Sequence, residues 1–290
     1  MQSSAKFRGL TWKELELSAP CSLASELDVC LTSHNLGGWV AEQEEPSLIW
    51  VCYVPCEGDW EARISRIAWD ITSLGAKVKM RGSIEDEDWA DCWKKFYHPR
   101  KFGKNIVVCP SWEKYEPSPD EKVMILDPGM AFGTGYHAST SMCLALVEEA
   151  LSSGPAEKVL DVGTGSGILS IAAWLMGCRD ITASDNDVVA VKAAAENIKA
   201  NGAESSCRVF EYSGVPEGEY DLVMANLIAR LLCQYAQDLA NAMKTGGKLI
   251  AGGIVDERYP DVLEAFQKAG LVEEKVMRSD DWVSALLVKK

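Results

Sequence analysis

Val159-Leu160-Asp161-Val162-Gly163-Thr164-Gly165-Ser166-Gly167-Ile168 is the stretch on which the fold turns. A short apolar run ends in glycine at every second position, and an apolar segment, Ile168–Met176, follows. That order reads as strand, tight turn and helix. Glycines let the chain turn sharply and let a ligand come close to the backbone without meeting a Cβ. A dinucleotide turn would show G-x-G-x-x-G. Counting from Gly163 puts Ile168 where the third glycine belongs, and counting from Gly165 puts Ser170 there. Asp161 ahead of the turn would also repel a pyrophosphate. A ligand carrying an amino group and a sulfonium has the opposite preference. S-adenosylmethionine is therefore the expected cofactor, with Asp161, Gly163 and Gly165 at its site.

Outward from this turn the pattern is α/β. Lys158–Val162, Asp180–Ser184, Cys207–Tyr212, Tyr220–Ala225 and Lys248–Ala251 read as strands. Ile168–Met176, Val188–Ala200, Ala229–Met243 and Asp256–Ala269 read as helices between and after them. Such alternation predicts a parallel, doubly wound sheet. After Gly270, Val272–Val276 and Val283–Val288 follow with no helix between, so the final strand is expected to pair antiparallel at the sheet's end.

Open sheets of this kind bind ligands beyond the carboxyl ends of their strands. Asp185 stands at such an end, where a carboxylate can hold the ribose hydroxyls of an adenosine; the plain alternative is a strand-end cap. Asp187 reads as the cap of the next helix. Asn226 ends the fourth strand, and an amide there can orient an attacking amine; the plain alternative is a turn residue. Base-amine methylation would place Pro-Pro-aromatic after it, whereas Leu227-Ile228-Ala229 follow. Upstream, Phe132-Gly133-Thr134-Gly135-Tyr136-His137 leads into Ala138-Ser139-Thr140 at a helix start. Hydroxyls there satisfy free backbone N–H groups, but nearness to the glycine turn favours ligand contact for Thr140.

The first part of the chain differs in character. Eight of the ten tryptophans fall before residue 113, which implies two units. Trp12–Leu17, a helix from Ser22 to about Leu36, Trp39–Ala41, Leu48–Val54, a helix capped by Asp59 and Lys77–Arg81 give β-α-β-β-α-β. In the second helix Trp60, Ile64, Ile67, Ile71 and Leu74 step by 4, 3, 4 and 3, one helical face. The order fits an α+β ferredoxin-like sandwich, a fold that hosts many functions. The expected organisation is a domain over 1–82, a linker over 83–120 with Pro110, Pro117 and Pro119 breaking regular structure, and a cofactor domain over 121–290.

Composition narrows the class further. A net charge of −14 argues against a phosphate-neutralising grip on nucleic acid; it would favour a basic partner, although taken alone it reads first as a charge that keeps the protein soluble. The ten cysteines include no C-x-x-C pair, and no histidine lies near Cys52 and Cys56, so no metal site is expected. They read as small buried residues in a reducing compartment. No apolar run approaches a membrane span, and the N-terminus lacks the order of a secretory signal.

Asp127-Pro128-Gly129-Met130-Ala131-Phe132-Gly133-Thr134-Gly135-x-His137-x-x-Thr140 resembles the signature of the ribosomal protein L-eleven (L11) methyltransferases, the PrmA family. Asp86–Lys94, Pro110-Ser111-Trp112 and Ala225–Ala229 are similar to its linker and fourth-strand segments, so the resemblance runs over about residues 85–255. It implies a class I methyltransferase fold with a seven-stranded, mostly parallel sheet and a smaller N-terminal domain that selects the substrate. It implies trimethylation of amines, on lysine side chains and/or the N-terminus of a basic ribosomal protein, by a cytoplasmic monomer without direct nucleic-acid contact. Carried over by position, cofactor contacts fall on Thr140, Gly163, Asp185 and Asn226, and Asn226 orients the amine. Tyr136 and Ala138 depart from the family's small polar residue and proline. Alternatives are methylation of another protein lysine or small amine, or a non-catalytic S-adenosylmethionine-binding module.

Overall fold

The computed structural model describes the chain except residues 1–10, 21–22, 24–26, 28–29, 32–33, 35, 37, 45–46, 57–58, 86–97 and 128–136. The glycine turn at 133–135 and the segment Asp86–Lys94 lie outside the described residues, as does most of the helix expected from 22 to 36. Leu27 and Leu31 of that stretch are buried. The chain divides into two compact units, residues 1–97 and 98–290.

In the first unit, β1 (Thr11–Pro20), β2 (Gly38–Glu44), β3 (Ser47–Pro55) and β4 (Lys77–Glu85) form a sheet in the order β2-β3-β1-β4. All neighbours are antiparallel, the ferredoxin-like arrangement. Helix α1 (Trp60–Ser73) is capped by Asp59, whose carboxylate accepts from the Ala62 amide. Its stripe of Ile64, Ile67 and Ile71 is buried with Leu15, Leu17, Trp50, Cys52 and Val54, as the helical spacing predicts.

The second unit opens with a small sheet of β5 (Arg100–Phe102), β6 (Ile106–Cys109) and β7 (Lys122–Ile125). Strands β5 and β6 occupy part of the stretch expected to be a connector. Every residue of β6 is buried, and its parallel pairing with β7 makes it part of this unit's core. Then come α2 (Ala138–Ala150), β8 (Val159–Val162), α3 (Ile168–Leu175), β9 (Ile181–Asp185), α4 (Val188–Ala200), β10 (Cys207–Glu211) and β11 (Tyr220–Asn226). The chain closes with α5 (Ala229–Ala242), β12 (Met243–Val255), a 3-10 turn (Asp256–Arg258), α6 (Tyr259–Lys268), β13 (Leu271–Ser279) and β14 (Trp282–Lys289).

These strands form the expected seven-stranded sheet, in the order β10-β9-β8-β11-β12-β14-β13. Only β14 runs against its neighbours. It is not at the sheet's end, as expected, but lies between β12 and β13. The reason is burial: Val283–Leu287 of β14 are buried, whereas Glu273, Glu274 and Lys275 of β13 are exposed, and charged strands suit an edge. Strand β12 is also longer than its apolar run predicts. Gly252 pairs with Asn226 of β11, while Gly246-Gly247 fall where the register with β11 shifts and Gly252-Gly253 where the register with β14 shifts.

Succession through β8, β9 and β10 moves the chain one way across the sheet, and β11 and β12 move it the other. The reversal leaves a crevice between the carboxyl ends of β8 and β11, where such sheets bind ligands. Side-chain alternation then assigns faces. Leu222 and Met224 belong to the apolar cluster that includes α2 and α3. Asn226, two residues on, points to that same side. Across the sheet, Val223 and Ala225 join α5 and α6. Phe266 of α6 is buried in this second cluster. Replacing it with alanine is expected to destabilise the protein by about 3–5 kcal/mol, measured by urea unfolding.

Candidate active site

The glycine turn is held from below by strand and side-chain bonds. The Gly163 and Thr164 amides donate to the Ser184 carbonyl at 2.8 and 3.0 Å, and the Gly167 amide donates to the Thr164 carbonyl at 2.9 Å. Gly163, Gly165 and Gly167 take φ of 68°, 56° and 82°, a left-handed path that side chains resist. Asp161 is 1% exposed. One of its oxygens accepts from the Thr164 and Ser170 hydroxyls, each at 2.7 Å. Burial pushes its carboxyl from the usual 3.8 up to about 6, against the pull of these two hydroxyls.

Asp185 closes the turn from β9. Its carboxylate accepts from the Gly165 amide at 2.9 Å and from the Asp187 amide at 3.0 Å. Asp187 caps α4 through the Val189 amide at 2.8 Å, the role its position predicts. On the other wall, the Asn226 amide nitrogen donates to the Thr140 hydroxyl at 3.3 Å. Its carbonyl oxygen, Oδ1, is buried with no protein partner among the described residues. His137 caps α2, its Nδ1 accepting from the Ser139 amide at 3.3 Å, and its ring meets Trp282 edge-on with centroids 4.4 Å apart.

Together these elements enclose a cavity of about 530 Å³, within the range of small-ligand pockets. Gly163, Gly165, Asp185 and Asn226 line it. Thr140 and Asp161 stand behind the wall: Thr140 is fully buried against Asn226, and Asp161 braces the turn. Sequence reasoning did not pick out Leu227, Ile228, Leu231 and Trp282, which give the cavity beside Asn226 an apolar lining. Trp282 carried a signal, as one of two tryptophans beyond residue 113. Gly252-Gly253 was a second missed signal, a glycine pair inside a strand. A Cβ on Gly252 would lie 2.3 Å from Cys143 Sγ and 3.0 Å from Asn226 Oδ1.

A family model described as Ribosomal protein L11 methyltransferase (PrmA) matches residues 40–290. The chain belongs to this family. It is 39% identical over 247 residues to the Ribosomal protein L11 methyltransferase of an Exiguobacterium species, covering 82% of this chain and 78% of that one. With the protein of that name from Bacillus cytotoxicus it shares 42% over 207 residues, 70% of this chain and 65% of the other. A crystal structure of ribosomal protein L11 methylase from Lactobacillus delbrueckii subsp. bulgaricus superposes with a TM-score of 0.62 at 31% identity, over 67% of this chain and 100% of that chain. The fold is that of class I methyltransferases, and S-adenosylmethionine is the cofactor. The residues present fit that group: a strand-end carboxylate, a glycine turn open to close approach, and a buried unpaired amide oxygen at the far wall.

Two outcomes follow from this geometry. Between about pH 4 and 6 the folded protein keeps a proton on Asp161 that the unfolded chain has released. The native state binds more protons there, so stability should fall by about 3 kcal/mol as pH rises through the window. Asp161→Asn keeps an acceptor for both hydroxyls and should remove this slope, as read from urea midpoints at pH 4 and 7. Equal slopes in both proteins would refute it. Gly252→Ala should displace Asn226 and lower the turnover rate by about 100-fold, checked by steady-state methyl transfer.

Proposed function

We propose that the chain transfers methyl groups from S-adenosylmethionine to amines of ribosomal protein L11, on lysine side chains and/or the N-terminus. The observation that carries this reading is Asn226. Its unpaired Oδ1 lies at the crevice between the strand ends, beside an apolar lining that suits the stem of an aliphatic amine. Family membership supports the choice of protein substrate, and a net charge of −14 suits a basic one. In this reading the first unit selects the substrate, and the chain works in the cytoplasm as a monomer.

The bound cofactor supplies an electrophilic methyl carbon on a sulfonium. The glycine turn receives the cofactor's backbone-facing side, and Asp185 holds its ribose hydroxyls. Asp161 and Thr140 act at one remove, bracing the turn and fixing Asn226. A free lysine has a pKa near ~10.4 and must reach the site as a neutral amine. Leu227, Ile228, Leu231 and Trp282 strip water from it, which favours loss of the proton to solvent. Asn226 Oδ1 would then accept an amine N–H and orient the nitrogen lone pair for attack. That nitrogen would take up the methyl group that the cofactor, when bound, supplies.

Labelled S-adenosylmethionine incubated with methyl-free ribosomal subunits should label L11. Label on a different protein, or on none, would overturn the substrate. Asn226→Ala should slow single-turnover transfer by about 100-fold while S-adenosylhomocysteine affinity stays within a few-fold. Asp185→Ala should do the reverse, weakening affinity in calorimetry more than it slows transfer at saturating cofactor.

A further inference from the structure

Helix α4 carries Asn197 and is closed by Asn201 at its C-cap, two asparagines that line neither the cavity nor the apolar core. Four residues apart, they fall on one side of the helix. The Asn197 side-chain amide donates to the Ser166 backbone carbonyl, inside the glycine turn, at 2.8 Å. The Asn201 side-chain amide donates to the backbone carbonyls of Asn197 at 2.8 Å and of Ile125 at 2.7 Å. Asn201 Oδ1 in turn accepts from the Ile125 amide at 2.8 Å. Ile125 ends β7, an edge strand of the small sheet. Asn201 thus offers that edge the donor and acceptor a further strand would supply. Just beyond, both oxygens of Asp127 are held, by the Ser111 amide and hydroxyl at 2.7 Å each. From there the chain proceeds to His137, on the cavity wall.

These bonds join the glycine turn to the small sheet. One end grips the turn carrying Gly163 and Gly165; the other grips Ile125, the last residue of β7. Ala194, on the same helix, backs the turn so closely that a Cβ on Gly167 would come within 3.2 Å of it. At the helix's other end, Asp187 is hydrogen-bonded to the carboxylate of Asp185. The bonds to Ser184, Asp185 and Asp161 fix the turn to the sheet and α3; its contact with α4 at Ala194 is apolar and does not by itself fix the turn along that helix. A directional bond to a backbone carbonyl does.

We propose that Asn197 and Asn201 are positioning residues for the cofactor, which fix the glycine turn relative to the end of β7 through the C-terminal turn of α4. Neither touches the cofactor cavity. The inference rests on the identity of the cofactor and not on that of the methyl acceptor.

The test is calorimetry with S-adenosylhomocysteine on the full chain carrying Asn197→Ala, Asn201→Ala or both. It needs no methyl acceptor, so its outcome stands whichever amine the enzyme methylates. Each single variant should raise the Kd about tenfold, the effect of one directional bond. The double variant should lose more than either single one, because the two side chains hold different backbone groups, Ser166 on the turn and Ile125 on β7. In assays with L11 as acceptor, the KM for S-adenosylmethionine should rise while kcat at saturating cofactor stays within about twofold. A lowered melting temperature with unchanged Kd below the transition would make these bonds merely structural and overturn the proposal. If alanine at 197 prevents folding, Asn201→Asp decides the matter in the same assay. It keeps the acceptor for the Ile125 amide and loses both donations, so an unchanged Kd would sink the proposal.

Discussion

Strand β8 pairs in parallel with β11 so that Val162 lies opposite Ala225. The next residue on each is Gly163 and Asn226. This register brings the glycine turn and the Asn226 amide to the same crevice, although 63 residues separate them in the chain. A slip of one residue would turn Asn226 toward α5 and α6 and away from Thr140. Both strands are buried on both faces, with Leu160, Val162, Val223 and Ala225 on one side and Val159, Leu222 and Met224 on the other. Apolar packing on both faces makes the register costly to change. The site inherits its precision from that core.

The same face that receives Asn226 also receives Asp161, which sits opposite Met224 in the ladder. A lone carboxylate in this place would be expensive to ionise. Hydroxyls from Thr164 in the turn and Ser170 in α3 offset part of the cost and, in doing so, lock turn to helix. The site concentrates polar burial where the backbone must take an unusual path. Thr140 against Asn226 repeats the device at the other wall: a fully buried hydroxyl holds a side chain whose second polar atom is left for the ligand.

Local pattern is why so much of this was legible in the sequence. The helical stripe of α1, the alternation after residue 120 and the turn at 163–167 are repeated or contiguous signals, and the elements formed close to the expected bounds. Asp185 and Asn226 were visible because each ends an apolar run. What stayed hidden depends on contacts between distant segments. Nothing local distinguishes Asn197 and Asn201 from other polar positions on a helix, since their partners lie 31 and 76 residues away. The short strands β5 and β6 sit among prolines and charges and gain their order from pairing. Strand β14 took the interior of the sheet because it is more apolar than β13, a comparison that adjacency in sequence does not suggest. Asp161 illustrates the limit most clearly. Its position before the glycine turn was informative, yet the charge match with a cationic ligand presumed an exposed carboxylate, and the structure turns it inward to brace the loop.

That inward placement separates two titrations which would otherwise interfere. An amine acceptor loses its proton more readily as pH rises, so transfer gains toward the alkaline side. Asp161, lifted to about 6 by burial, has its midpoint on the acid side of neutrality. Above neutral pH the turn therefore keeps largely one charge state while the acceptor's protonation changes. Below pH 6 the carboxyl gains a proton, but hydroxyls can rotate to accept as well as donate, so Thr164 and Ser170 are able to keep their contacts with it. The bracing of the cofactor turn is thus uncoupled from the proton that the acceptor must lose. A carboxylate exposed beside Asn226, unlike Asp185 at the turn, would instead meet the incoming ammonium directly, raising the amine's pKa and opposing the deprotonation that attack requires.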